Sequence, residues 1–127
     1  MDENQIAAIA MDVGFDIHRR FGPGLLESAY QALMVHGLRK QGLCVNTEVM
    51  MPLEWDGVHI DAGFRADIVI NDLVIIELKS VEFLADVHKK QLLTYLRVSG
   101  KRLGLLMNFG QAMFKDGFVR IANGMPD

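Results

Sequence analysis

Three residues carry charge into stretches that are otherwise apolar: Asp67, beside Ala66 and Ile68-Val69-Ile70, and Glu77 and Lys79, which follow Ile75-Ile76 and flank Leu78. If the second stretch is a strand, Glu77 and Lys79 share a face and Leu78 takes the other. Burying either charge without a partner is costly, so the pair implies a shared site or a solvent-filled cleft. Whether Asp67 joins them depends on register. A two-residue Asn71-Asp72 loop pairs Ile70 with Leu73 and leaves Glu77 on the face away from Asp67. A three-residue loop, or a bulge, pairs Ile70 with Val74 and sets Asp67 opposite Glu77. We adopt the second register, which brings the two Cβ atoms within about 5 Å. Such carboxylates repel unless a proton or a hard cation lies between them. Mg²⁺ (or Mn²⁺) is commonly held by one or two carboxylates together with water and substrate phosphate. Lys79 beside them could orient or activate an attacking water, or stabilise charge developing on phosphate. The plainer alternative is that Asp67 and Glu77 pair with Lys79 and Arg65 as salt bridges at a strand end.

The elements that must position these residues are legible in the hydrophobic pattern. Ile6, Ile9, Val13 and Ile17 recur at helical spacing after Asp2, a capping residue with Gln5 three positions on, and this helix ends near Phe21. Gly22-Pro23-Gly24 breaks the chain. A second helix follows over about Leu25 to Gln41, with Leu26, Ala29, Tyr30, Leu33, Gly37 and Leu38 on its apolar stripe. After Gly42 the period becomes two: Val45, Thr47, Val49, Met51 and Leu53 form one face of a strand that Pro52 places at a sheet edge. Asp56-Gly57 turns the chain into an extended stretch from Val58 to Ile70, with Gly63 at a bulge or bend. Leu73 to Leu78 reads as a central strand buried on both faces. A third helix spans about Asp86 to Ser99 with Leu92, Leu93 and Leu96 inward, and Gly100 ends it. Leu103 to Phe109 and Met113 to Ile121 complete the set as two strands, the second interrupted at Asp116-Gly117. The order ααβββαββ is that of an α/β (α+β) fold with a central mixed β-sheet flanked by helices.

The chain resembles a known family at several of these points. Gly24-Leu25-Leu26-Glu27-Ser28-Ala29-Tyr30 matches the signature of the GxxExxY proteins, a branch of the PD-(D/E)XK nuclease superfamily. The resemblance extends to Asp67, to Glu77-Leu78-Lys79, to His88, Gln91 and Tyr95 on the third helix, and to Asn108-Phe109-Gly110. It implies a restriction-endonuclease-like core, with Asp67 and Glu77 as metal ligands, Lys79 as the catalytic lysine and Glu27 as the acid contributed by the first core helix. Where the superfamily name has Pro before the Asp, this chain has Ala66; related nucleases often lack that Pro. The residues themselves allow more than one role. Glu27 and Tyr30, at i and i+3, can both face the sheet edge, or Glu27 can serve the helix dipole. Tyr95 reads either as a core tyrosine or as a substrate contact. Gln91, at the border of an apolar stripe, needs polar partners that a phosphate or a water would supply. His88 fits a surface or supporting position better than a ligand position.

Composition sets bounds on partners. The 127 residues carry a net charge of -3, which argues against a protein that holds nucleic acid by bulk electrostatics alone. The charge is segregated: residues 1–78 hold 5 Lys/Arg against 12 Asp/Glu, and residues 79–127 hold 8 against 4. Lys89, Lys90 and Arg97 on the third helix are the nearest candidates for a phosphate-backbone track, and the alternative for them is a solvated helix face. One domain over residues 1–127 is expected from the length. A single cysteine, Cys44, excludes an intrachain disulfide and points to a reducing, cytoplasmic setting, and no apolar run is long enough for a membrane span. The combined expectation is a Mg²⁺-dependent nuclease that hydrolyses phosphodiesters with a metal-activated water. Its rivals are a non-catalytic nuclease-fold module that binds nucleic acid or a protein partner, and an oligomeric structural protein.

Overall fold

The computed structural model describes residues 1–126. Helix α1 (Glu3–Phe21) opens on a reciprocal cap: Asp2 Oδ1 accepts the Gln5 N–H at 2.8 Å and Gln5 Oε1 accepts the Asp2 N–H at 2.9 Å. It exits at Gly22, whose φ of 68° favours glycine. Helix α2 (Glu27–Lys40) returns against α1. The two approach closely at Gly37, where a Cβ would fall 2.5 Å from Val13 Cγ1. Strands β1 (Val45–Trp55), β2 (Val58–Ile70) and β3 (Val74–Lys79) follow, then helix α3 (Asp86–Ser99) and strands β4 (Leu103–Asn108) and β5 (Phe118–Ala122). They form one five-stranded sheet in the order β1-β2-β3-β4-β5. Only β3 and β4 are parallel, because α3 carries the chain back between them. The result is the α+β mixed sheet with flanking helices that the pattern predicts.

Helices α1 and α2 cover one face, where Ile6, Ala10, Tyr30, Met34 and Leu38 pack on Ile68, Ile70, Ile76, Leu78, Leu105 and Met107. Helix α3 alone covers the other, where Leu92 and Leu96 meet Ala66, Val69, Ile75 and Leu106. Strand β1 lies at the edge, as Pro52 requires. Its register against β2 is irregular between Met51 and Leu53, where Gly63 makes room: a Cβ there would fall 2.2 Å from Leu53 Cγ.

Three expectations need correction. Leu26 is 76 % exposed, because it is the extended residue before α2 and lies outside the helical period; the buried stripe is instead Tyr30, Met34 and Leu38. Val45 and Val49 do not share a face. Val45 packs on the α1/α2 side, whereas Val49 and Met51 pack on the α3 side. The exchange occurs at Glu48, whose φ of 52° interrupts the strand's alternation. Strand β2 makes the same exchange one rung across, between Ile68 and Ala66, so Asp67 sits at the discontinuity. Finally, the first half of Met113–Ile121 is not strand, since Phe114–Gly117 forms a 3₁₀ turn.

Candidate active site

The β2–β3 ladder runs Ile70↔Val74, Val69↔Ile75 and Ile68↔Ile76, which is the register that places Asp67 opposite Glu77. Asn71 and Asp72, both with positive φ, make the turn, and Leu73 completes a three-residue loop. At the next rung the backbones stop pairing and side chains take over. The Asp67 N–H donates to Glu77 Oε1 at 3.1 Å, and the Leu78 N–H donates to Asp67 Oδ2 at 2.9 Å. Each carboxyl therefore satisfies an amide that the ladder leaves unpaired and is fixed by it.

Glu77 is buried and Asp67 half-buried. Burial, and then the neighbouring Asp67 charge, push the Glu77 carboxyl up to about 8. Burial also raises Asp67, opposed by the Leu78 N–H and by its hydrogen bond with Glu77, with Glu48 adding a like charge. Both carboxyls therefore favour the protonated form more than an isolated carboxyl does. Lys79, half-buried, attracts both carboxyls but forms no ion pair with either among the described residues. Arg65 pairs instead with Glu48 at 2.7 Å. The simple salt bridge that the spacing allowed is not formed.

Helix α3 supplies one wall. Tyr95 stacks on Phe64, with centroids 4.0 Å apart and planes at 6°. Its phenol is pushed up by burial and then by the Glu77 and Asp67 charges, with Gln91 acting in the opposite direction. Tyr95 is half-buried and near enough to the acid pair to feel its charge, whereas Gln91, one turn earlier on α3, is exposed. The loop leaving Lys79 is held from below by Asn108, which is fully buried and opposite Lys79 in the β3–β4 ladder. Its Oδ1 accepts the Val81 and Gly110 N–H groups, while its Nδ2 donates to Val81 O and Gln111 Oε1. Gly110 passes so near that a Cβ would fall 2.3 Å from Val81 O. The Asn108-Phe109-Gly110 motif positions the loop that follows the lysine.

Other predicted residues stand elsewhere. Tyr30 is fully buried on the α1/α2 side, stacked on Phe109 at 4.3 Å, and its hydroxyl donates to Gly22 O and accepts the Leu25 N–H. It closes the Gly22-Pro23-Gly24 loop and does not line the acid pair. Glu27 is exposed in the first turn of α2 and makes no hydrogen bond with the pair. The start of that helix is tied to the end of β3, since Ser80 Oγ donates to Leu25 O at 3.2 Å. His88 Nδ1 accepts the Ala85 N–H at 3.1 Å and so caps α3. Lys89, Lys90 and Arg97 are exposed along α3. The acid absent from the expectations is Glu48, which lies between the Thr47↔Ile68 and Val49↔Ala66 rungs and so faces Asp67 across the ladder. Only the β1–β2 register reveals it.

The donor set, two carboxyls fixed by backbone amides, suits a hard divalent cation, which Asp67 and Glu77 would hold. Among the described residues no group of three His, Cys, Asp or Glu side chains forms a metal cage. An ion that keeps several waters, as Mg²⁺ does, needs no such cage. Also among the described residues, no helix is long and apolar enough to cross a membrane.

No curated protein and no solved structure matches the chain. The profile of the PD-(D/E)XK nuclease superfamily matches residues 4–121, a span that includes the acid pair, Lys79 and every strand but the last residue of β5. The chain belongs to the PD-(D/E)XK nuclease superfamily.

Proposed function

We propose that this protein, of the GxxExxY branch, is a divalent-metal-dependent phosphodiesterase acting on nucleic acid. The observation that carries the reading is the reciprocal clamp at Asp67 and Glu77, with Lys79 beside it and engaged in no ion pair among the described residues. Two carboxylates held by backbone amides would bind Mg²⁺ or Mn²⁺. When bound, the cation would supply Lewis acidity, offsetting charge on the carboxylates and on a phosphate oxygen. Lys79 presents an ammonium to a phosphate oxygen or to the attacking water, and its position is set by the Asn108-braced loop. Gln91 and Tyr95 offer polar hydrogens that orient the same water or phosphate. Glu27, exposed in the first turn of α2 and near the end of that helix tied to Ser80, would complete the acidic cluster. Lys89, Lys90 and Arg97 are backbone contacts in this reading. The lone Cys44, exposed, suits a reducing compartment such as the cytoplasm.

A second reading, a nuclease-fold module that binds a nucleic acid or protein partner without cutting, is favoured by the exposed side chain of Glu27, which makes no hydrogen bond with the pair among the described residues. A self-associated protein is a variant of it, supported by exposed Trp55, Val58 and Ile60 on the β1–β2 arm. Titrating Mg²⁺ against plasmid and single-stranded substrates separates them. Wild type should cut while Lys79→Ala does not; equal residual activity in both would falsify the catalytic assignment.

A further inference from the structure

We infer that the groove between α2 and β1 is the track along which a nucleic-acid backbone reaches the acid pair. This rests on the phosphodiesterase reading above and assigns its substrate a path. The groove has a volume of about 830 Å³, within the usual range of ligand-binding clefts. Along one wall α2 presents Ser28, Gln31, His36, Arg39 and Lys40; Glu48 of β1 stands on the other.

Charge supports this occupant. Residues 1–78 are acidic, with 5 Lys/Arg against 12 Asp/Glu, yet two of those five cations, Arg39 and Lys40, line this one groove with His36 beside them. The α2 dipole favours cations in its last turn. It does not explain His36 a turn earlier on the same side, or the open space between the helix and β1. Arg39 Nη2 donates to Val45 O at 2.9 Å, which fixes the guanidinium at the floor and leaves its other N–H groups for phosphate oxygens. The groove's one acid, Glu48, is already paired with Arg65 at 2.7 Å and so repels an incoming phosphate weakly. Gln31 and Ser28 supply neutral donors further along.

Continuity with the site is the second argument. Glu48 both lines the groove and stands across the β1–β2 ladder from Asp67. At the other wall Ser28 follows Glu27, and the start of α2 is bound to the end of β3, next to Lys79, through Ser80 and Leu25. A backbone lying over Lys40, Arg39 and His36 is thereby led toward the sheet end that holds Asp67, Glu77 and Lys79.

The test uses the full chain, a fluorescein-labelled 20-nucleotide DNA in single-stranded and duplex forms, and anisotropy in EDTA over a salt series. His36 and Lys40 are exposed, so His36→Glu and Lys40→Glu should leave the melting temperature unchanged. Lys40→Glu should weaken binding about tenfold and lower the slope of log K against log salt by about one, whereas Lys40→Arg keeps both. Arg20→Glu, which changes net charge equally on α1, should keep wild-type affinity within about twofold. If wild type binds and cuts but both groove variants keep its affinity and slope, the track is elsewhere and the phosphodiesterase reading stands. If wild type neither binds nor cuts either DNA or the matching RNA, that reading fails and this one with it.

Discussion

Strand β3 has two edges, and they end differently. Against β4 it stays paired to its last residue, Lys79↔Asn108, and the buried Asn108 then grips the following loop with four hydrogen bonds. Against β2 it stops pairing after Ile68↔Ile76, and two carboxyls bridge the gap. One edge is closed and rigid, the other open and charged. In the proposed reaction the two edges would have different tasks: the closed edge would hold the strand end that carries Lys79, and the open edge would leave room for a cation and a phosphate.

Removing the charge that the closed edge aims should have the largest effect. Lys79→Ala is expected to lower the cleavage rate by about 10²–10³-fold with little change in urea stability, since that side chain makes no ion pair among the described residues. Asn108→Ala attacks the closed edge itself. It strips four hydrogen bonds from a fully buried position and should cost about 2–4 kcal/mol in urea unfolding, with activity falling because the lysine loop loses its brace.

The open edge should respond to pH. Folding raises the Glu77 carboxyl from its ordinary 4.5 to about 8, so the folded state binds this proton more tightly than the unfolded chain. In metal-free protein the associated stability is fully present below about pH 4.5 and is lost as pH rises through about 8. Glu3 behaves oppositely. Its hydrogen bond with Arg102 lowers its carboxyl, so that stabilisation is present at neutral pH and is lost as pH falls below the ordinary 4.5. Urea midpoints from pH 5 to 8 should therefore fall for wild type and stay nearly level for Glu77→Gln. The smallest effect is expected at Glu48→Gln. It relieves one like charge near Asp67 but frees Arg65, and should change cleavage less than about tenfold and leave Lys79→Ala the far more damaging variant.

Much of this architecture is visible in the residues. The Asp2–Gln5 cap, the edge position marked by Pro52, the bounds of α3 and the pairing of Ile70 with Val74 all follow from local chemistry acting over a few residues. What escapes the pattern is set by tertiary contact. The face exchange at Glu48 and Asp67 needs a positive φ in a glutamate, which no composition signal marks. Tyr30 looks like a site residue because it sits one turn from Glu27, but the Gly22-Pro23-Gly24 loop folds over its hydroxyl and Phe109 takes its ring. His88 has the spacing of a site residue and is used as a cap. Glu48 is invisible until β1 is laid beside β2.

Asp67 and Glu77, clamped by each other's strand, would together hold a divalent cation. Soaking crystals in Mn²⁺ and collecting anomalous data tests it directly. One anomalous peak is expected at Asp67 and Glu77, absent from Glu77→Gln, with Lys79 still free of either acid. A structure in which the Lys79 ammonium occupies that position, with no metal bound, would contradict it.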